Sequence, residues 1–295
     1  MAPQKKIGFI GTGVMGGSMA KHLISAGYLV LVHNRTKEKS EELLKEGANW
    51  CDSVADVARR SEVVITIVGF PSDVEEIYFG PDGILENAPP GTVAIDMTTS
   101  APKLAKRIYS EGIKRGIRTL DAPVSGGDRG ARAGTLSIMV GGDKEIYDRV
   151  HSLFEIMGKN IVYQGPAGSG QHTKMCNQIA IASNMTGVCE AIAYAWKSGL
   201  DPQTVLKSIE SGAAGSWSLS NLGPKMIESD YTPGFYVKHF IKDMRLAAES
   251  AGVLELETPG LNLALRLYEK LAAEGGADEG TQALMRLFDR GDLKI

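Results

Sequence analysis

The sequence predicts an α/β chain in two parts, a doubly wound sheet covered by helices and, after it, a domain built of helices alone. Three observations carry that prediction. Over the first half, short apolar β-type runs alternate with helical patterns, the signature of a parallel sheet buried on both faces. The first run leads straight into Gly11-Thr12-Gly13-Val14-Met15-Gly16, a GxGxxG turn that opens a helix. After Gly165-Pro166-Ala167-Gly168-Ser169-Gly170 no strand-like run returns.

In order, strands are expected at residues 6–10, 29–33, 63–67, 93–96, 118–122, 136–140 and 160–163. Between them helical patterns occupy residues 15–26, 37–46, 73–79, 101–115 and 144–157. Then comes one long helix at about 171–199, rich in Ala, Ile, Met and Asn, and further helices at 202–211, 219–229, 238–251 and 258–274. The division falls in the glycine-rich stretch. Residues 1–165 form a Rossmann-type dinucleotide-binding domain, and residues 166–295 an all-helical domain for substrate and assembly.

Composition narrows the function classes. A net charge of −3 offers no bulk positive field, so neither nucleic acid nor an anionic membrane is an expected partner. The three cysteines (Cys51, Cys176, Cys189) form no CxxC pair, which argues against a disulfide framework or a zinc site and fits a reducing compartment. The histidines His22, His33, His151 and His239 fall at no ligand spacing, so no metal is expected. No signal-peptide-like run opens the chain and no stretch is long enough to span a bilayer, which together predict a cytoplasmic protein.

The glycine motif has a physical logic. Gly11 permits the tight turn, Gly13 lets backbone approach a pyrophosphate, and Gly16 lets the helix pack closely on the sheet. Thr12, Val14 and Met15 complete the loop, whose free N–H groups face the phosphates. Taken alone, the motif also fits a turn that only connects two elements. The second strand bears on the cofactor. It ends His33-Asn34-Arg35-Thr36, without the Asp or Glu that bonds the ribose hydroxyls of NAD. Arg35 can pair with a 2′-phosphate, and Asn34 and Thr36 can donate to it. NADP is therefore preferred and NAD possible; a solvated basic turn is the plainer alternative.

Three later segments hold unusual residues. Asp96-Met97-Thr98-Thr99-Ser100 lies at the C-terminal end of an expected strand, where α/β folds place ligands. Asp121-Ala122-Pro123-Val124-Ser125-Gly126-Gly127 also follows a strand, and its end offers a hydroxyl and bare N–H groups to a carboxylate. Either could instead be a polar turn. Lys174 sits one turn into the long helix, with Asn177 and Gln178 on the same side at i+3 and i+4. A buried ammonium must be paired or used, and hydride transfer to a carbonyl needs a proton for the alkoxide. A surface lysine near a helix start is the alternative. Trp217, within Gly215-Ser216-Trp217-Ser218, is a further candidate to border the substrate.

With these residues in hand, the chain resembles the β-hydroxyacid dehydrogenases, which include 3-hydroxyisobutyrate dehydrogenase, tartronate semialdehyde reductase and the glyoxylate/succinic semialdehyde reductases. The likeness runs through GFIGTGVMGGSMAKHL, DAPVSGGDRGARAGTLSIMVGG, GSGQHTKMCNQ and KHFIKDMRLA. It implies that Lys174 is the catalytic lysine, with Asn177 orienting substrate beside it. It implies a substrate-carboxylate site at Ser125, Gly126 and Gly127, and Thr99 near the nicotinamide. Lys242 corresponds to a cofactor-contacting lysine, Asp243 to its partner at the substrate, and Phe235 to an aromatic wall over the substrate. A homodimer or homotetramer is implied as well. Two features depart from the pattern. Gln178 stands where many members have a second asparagine, and Arg129 and Arg132 follow the Ser-Gly-Gly segment.

The expected function is NADPH-dependent reduction of a small aldehyde or keto acid such as glyoxylate or succinic semialdehyde, with Lys174 as proton donor. Oxidation of 3-hydroxyisobutyrate or another β-hydroxy acid is the alternative within the class. A cofactor-binding scaffold without chemistry is the alternative outside it, and the presence of Lys174 weighs against it.

Overall fold

The computed structural model describes residues 5–289 and divides the chain into two compact units, Met1–Lys174 and Met175–Ile295. The first unit is built on one sheet. Its strands are β1 (Lys6–Ile10), β2 (Leu29–His33), β3 (Asn49–Trp50), β4 (Val63–Thr66), β5 (Val93–Asp96), β6 (Arg118–Asp121), β7 (Val124–Ser125), β8 (Leu136–Gly142) and β9 (Gly158–Gly165). They lie in the order β3-β2-β1-β4-β5-β6-β8-β7, with β9 paired to β8. The connecting helices are α1 (Val14–Ser25), α2 (Glu41–Lys45), α3 (Val54–Arg60), α4 (Pro71–Phe79), α5 (Ile84–Asn87), α6 (Pro102–Lys114), α7 (Gly127–Ala133) and α8 (Lys144–Met157). Helix α9 (Ser169–Lys197) begins in this unit and runs through the division.

The central strands show why the sheet forms. Ile7 and Phe9 of β1, Ile65 of β4 and Ile95 of β5 have no exposure, as expected of short β-branched and aromatic runs covered on both faces. Met19 and Leu23 of α1 and Phe154 of α8 join the same core. Strands β1 to β6 pair in parallel. The sequence order reverses between β1 and β4, and ligands of open α/β sheets bind at such a switch point. The glycine turn after β1 stands there.

One expectation of the sequence reading changes. Strand β8 runs antiparallel to both β6 and β7, while β9 returns parallel to β8. Between β7 and β8 the chain holds little more than the seven-residue α7. A parallel crossover needs roughly a dozen residues or more, so the strand turns back instead.

The second unit contains the remainder of α9 together with α10 (Pro202–Ile209), α11 (Trp217–Ile227), α12 (Val237–Val253), α13 (Pro259–Ala273) and α14 (Arg286–Asp289). Ala182, Met185, Val188, Cys189 and Ile192 of α9 are buried, which explains why this helix shows no strong polar face. Helix starts are well marked. Asp201 accepts the Thr204 N–H at 3.0 Å and Ser216 that of Leu219 at 3.0 Å, while Pro202 and Pro259 open their helices. Phe240 of α12 and Tyr268 of α13 meet edge to face with centroids 5.0 Å apart.

Candidate active site

The glycine turn has the geometry that a dinucleotide needs. Gly11 has φ +96°, and a Cβ there would run into the Ile67 carbonyl. At Gly16 a Cβ would collide with the Gly11 carbonyl, so helix and turn can meet only through glycine. Gly13 differs: a side chain there would meet no protein atom within 4 Å. Nothing in the chain's own packing therefore requires glycine at this position. It is also the N-cap of α1, a position with no side-chain cap and no acidic residue in the first turn that follows. Thr12, Gly13, Val14, Gly17 and Ser18 line an open groove of about 400 Å³ that continues to Lys21 and Lys39. Bare N–H groups at a helix start beside an open groove fit the pyrophosphate of a nicotinamide dinucleotide.

Asn34 is tied into that turn. Its Oδ1 accepts the Thr12 N–H at 3.1 Å and its Nδ2 donates to the Thr36 carbonyl at 2.8 Å, while the Thr12 and Ser40 hydroxyls bond at 2.7 Å. The amide thus braces the loop against the end of β2. Arg35 next to it is 88% exposed at its side chain, with Asp73 3.5 Å away. Thr36 is exposed too.

Beyond β5 and β6 the strand ends are knitted together. Asp96, buried, accepts from the Thr66 hydroxyl at 2.9 Å and from the Thr98 N–H at 3.1 Å. Burial pushes its carboxyl up to about 6, although the Thr98 and Thr66 donors pull the other way. The Thr98 hydroxyl accepts the Val68 N–H at 3.0 Å, binding the turn after β4 to the turn after β5. Thr99 follows, half-buried.

The first turn of α9 is anchored on this floor. Asp121 at the end of β6 accepts the Gly168 N–H at 2.7 Å on one oxygen and the Gln171 N–H at 2.8 Å on the other. Burial raises this carboxyl to about 6 as well, opposed by those same amides. The Gln171 side chain, with no exposure, takes the Ser100 N–H at 2.9 Å and gives to the Thr98 carbonyl at 2.7 Å. Gly170 fits because a Cβ there would collide with the Met139 and Asp121 carbonyls. Lys174, three residues on, is only 6% exposed. The lysine is therefore held inside the protein on a rigid support, and is no surface residue.

Ser125 is half-buried in β7; Gly126, at φ +130°, is the N-cap of α7, and Gly127 begins that helix. Arg129 is exposed, and Arg132 is committed to Asp128 at 2.8 Å.

The second unit joins its candidates in one row. Asn177 Nδ2 donates to Gln178 Oε1 at 2.7 Å, and Gln178 Nε2 donates to Asp243 Oδ2 at 2.6 Å. The Lys242 ammonium stands 2.8 Å from Asp243 Oδ1, at ion-pair distance though off the hydrogen-bond axis. Phe235, half-buried, has its ring 5.8 Å from that of Phe240. Trp217 opens α11 with 62% of its surface exposed.

Among the residues of these networks that carry no individual role in the sequence reading are Asp96, Asp121 and Gln171. The available signal is the segment Gly168-Ser169-Gly170-Gln171, a helix start flanked by glycines, for which a distant carboxylate can serve as cap.

Comparison with known proteins agrees with this layout. Residues 6–165 match the family described as the NAD binding domain of 6-phosphogluconate dehydrogenase. Residues 168–288 match the NAD-binding family of NADP-dependent 3-hydroxyisobutyrate dehydrogenase. An uncharacterised oxidoreductase of Bacillus subtilis is 60% identical, covering 97% of this chain and 99% of its own. The 2-hydroxy-3-oxopropionate reductase of Escherichia coli is 39% identical over 96% of this chain and 97% of its own. A structure of Mycobacterium tuberculosis 3-hydroxyisobutyrate dehydrogenase with L-serine superposes with a TM-score of 0.89 at 30% identity, covering 96% of this chain and 98% of that one.

Proposed function

Because the chain belongs to the β-hydroxyacid dehydrogenases and is an NAD(P)-dependent oxidoreductase of that family, we propose that it uses NADPH to reduce a small aldehyde or keto acid to the hydroxy acid. The observation that carries this reading is Lys174, an ammonium 6% exposed in the second turn of a helix whose first turn is fastened to the ends of β5 and β6.

When bound, the nicotinamide supplies the hydride. The residues of the chain hold and move everything else. Ser125 and the N–H groups of Gly126 and Gly127 receive the substrate carboxylate, which bare backbone donors can approach closely. Asn177 orients the substrate, and Phe235 walls it from water. Lys174 Nζ gives its proton to the carbonyl oxygen as that oxygen becomes an alkoxide, and takes one from the hydroxyl in the oxidising direction. Arg35 favours the 2′-phosphate of NADPH, since an exposed guanidinium can pair with it and β2 ends without a carboxylate. Lys242 adds a second cofactor contact.

Oxidation of a β-hydroxy acid is the second reading, favoured by the L-serine named with the Mycobacterium tuberculosis structure. NADPH and NADH consumption across glyoxylate, succinic semialdehyde, methylmalonate semialdehyde and tartronate semialdehyde, set against NADP⁺ reduction with L-serine and 3-hydroxyisobutyrate, decides between them. Higher kcat/KM for every hydroxy acid than for any aldehyde would overturn the reductive reading.

A further inference from the structure

The row Asn177–Gln178–Asp243–Lys242 has a direction, and the chemistry of its far end sets it. An ionised carboxylate only accepts hydrogen bonds, and Asp243 Oδ1 stands 2.8 Å from the Lys242 ammonium as its ion-pair partner. Gln178 must therefore turn its NH₂ towards Asp243 Oδ2, 2.6 Å away. That leaves Gln178 Oε1 facing Asn177, so Asn177 must turn its own NH₂ towards Gln178, 2.7 Å away. Which end of each amide is oxygen is thus dictated by charge. Gln178 and Asp243 are 1% and 2% exposed, so water offers little competition for these bonds.

We propose that Gln178 is a positioning residue that transmits the acceptor character of Asp243 to Asn177. In doing so it fixes the Asn177 amide with Oδ1 left as the acceptor presented to the substrate. The inference rests on the function proposed above for its kinetic consequence, and on geometry alone for the amide relay. A substrate matched to this arrangement offers a donor, a hydroxyl or an ammonium next to the reacting carbon, to Asn177 Oδ1. The extra methylene of glutamine matters. An asparagine at position 178 is about 1.5 Å shorter and gives up the bond to Asp243 unless the helices shift.

The decisive variant is Gln178→Glu. Protonated, the new carboxyl donates to Asp243 and accepts from Asn177, reproducing the glutamine; ionised, it repels Asp243 and the row breaks. The ratio of its kcat/KM to that of the parent should stay near one at low pH and fall roughly 10- to 100-fold as pH rises through the new ionisation, which the neighbouring carboxylate raises. Gln178→Leu should show the low ratio at every pH. A role in packing alone predicts a flat ratio for Gln178→Glu.

A second measurement needs no substrate. The Asn177 side-chain amide resonances, assigned by their loss in Asn177→Asp, should titrate with pH in Gln178→Glu and stay fixed in the parent. Resonances that do not titrate overturn the relay, whether or not turnover is found. Titrating resonances with a flat kinetic ratio overturn its use in the reaction. A parent inactive on every acid tested would sink the proposed function, and the resonances would still decide the relay.

Discussion

In the function proposed above, Lys174 and Arg35 divide the work of the site between a buried cation and an exposed one, and substitutions at the two should read out differently. Lys174→Met keeps the apolar stem and removes the proton. Loss of general acid catalysis lowers kcat by roughly 10²- to 10⁴-fold, while the dissociation constant for NADPH, followed by fluorescence, should barely move. Arg35→Ala should do the reverse. With one charge-assisted contact gone, kcat/KM for NADPH falls roughly 10- to 100-fold, and kcat at saturating cofactor and the values for NADH stay close to the parent. The patterns behind this proposal were legible in the sequence because each is local: a glycine turn after a strand, a basic strand end, a lysine early in an apolar helix. Asp121 was not, because its partners Gly168 and Gln171 are remote in sequence and joined to it only by the fold.

At the level of elements, the start of α9 is the point on which most depends. Gln171 satisfies two backbone groups of the turn after β5, the Thr98 carbonyl and the Ser100 N–H, in a place with no exposure. Gln171→Ala leaves both unpaired, and a urea melt should show a loss of about 2–4 kcal/mol. Turnover should fall with it, since the first turn of α9, which carries Lys174 one turn further on, loses one of its two fastenings. The strands that the alternation of apolar runs predicted are β1, β2, β4, β5, β6, β8 and β9. What periodicity could not mark were β3 and β7, each two residues long, and the short α7. A two-residue strand holds one step of any pattern, and its existence depends on a neighbour already in place. The antiparallel direction of β8 escaped for a different reason, because strand direction is set by connection length and not by composition.

Across the whole molecule, the buried carboxyls at the ends of β5 and β6 give the stability a distinctive pH dependence. Asp96 and Asp121 are raised from an unfolded value of 3.8 to about 6. Between those limits the folded protein holds protons that the unfolded chain has released, so stability attributable to these groups grows as pH falls from about 7 towards 4 and shrinks as it rises. Asp96→Asn removes one such group. The difference in unfolding free energy, parent minus variant, should therefore increase on acidification by an amount on the order of 2 kcal/mol, measurable by chemical denaturation at pH 7 and pH 4.5. A difference that narrowed instead would mean that Asp96 is ionised throughout.

The exposure of Arg35 reaches beyond affinity. In the proposed cofactor assignment, a guanidinium 88% open to solvent attracts the 2′-phosphate through electrolyte, and the Debye length shrinks from about 8 Å at 0.15 M salt to about 3 Å at 1 M. Choice between the two dinucleotides would then vary with ionic strength. Under the proposed NADPH-dependent reduction, a dehydrated or salt-loaded cell would shift the enzyme towards the unphosphorylated pool, with no change in its chemistry.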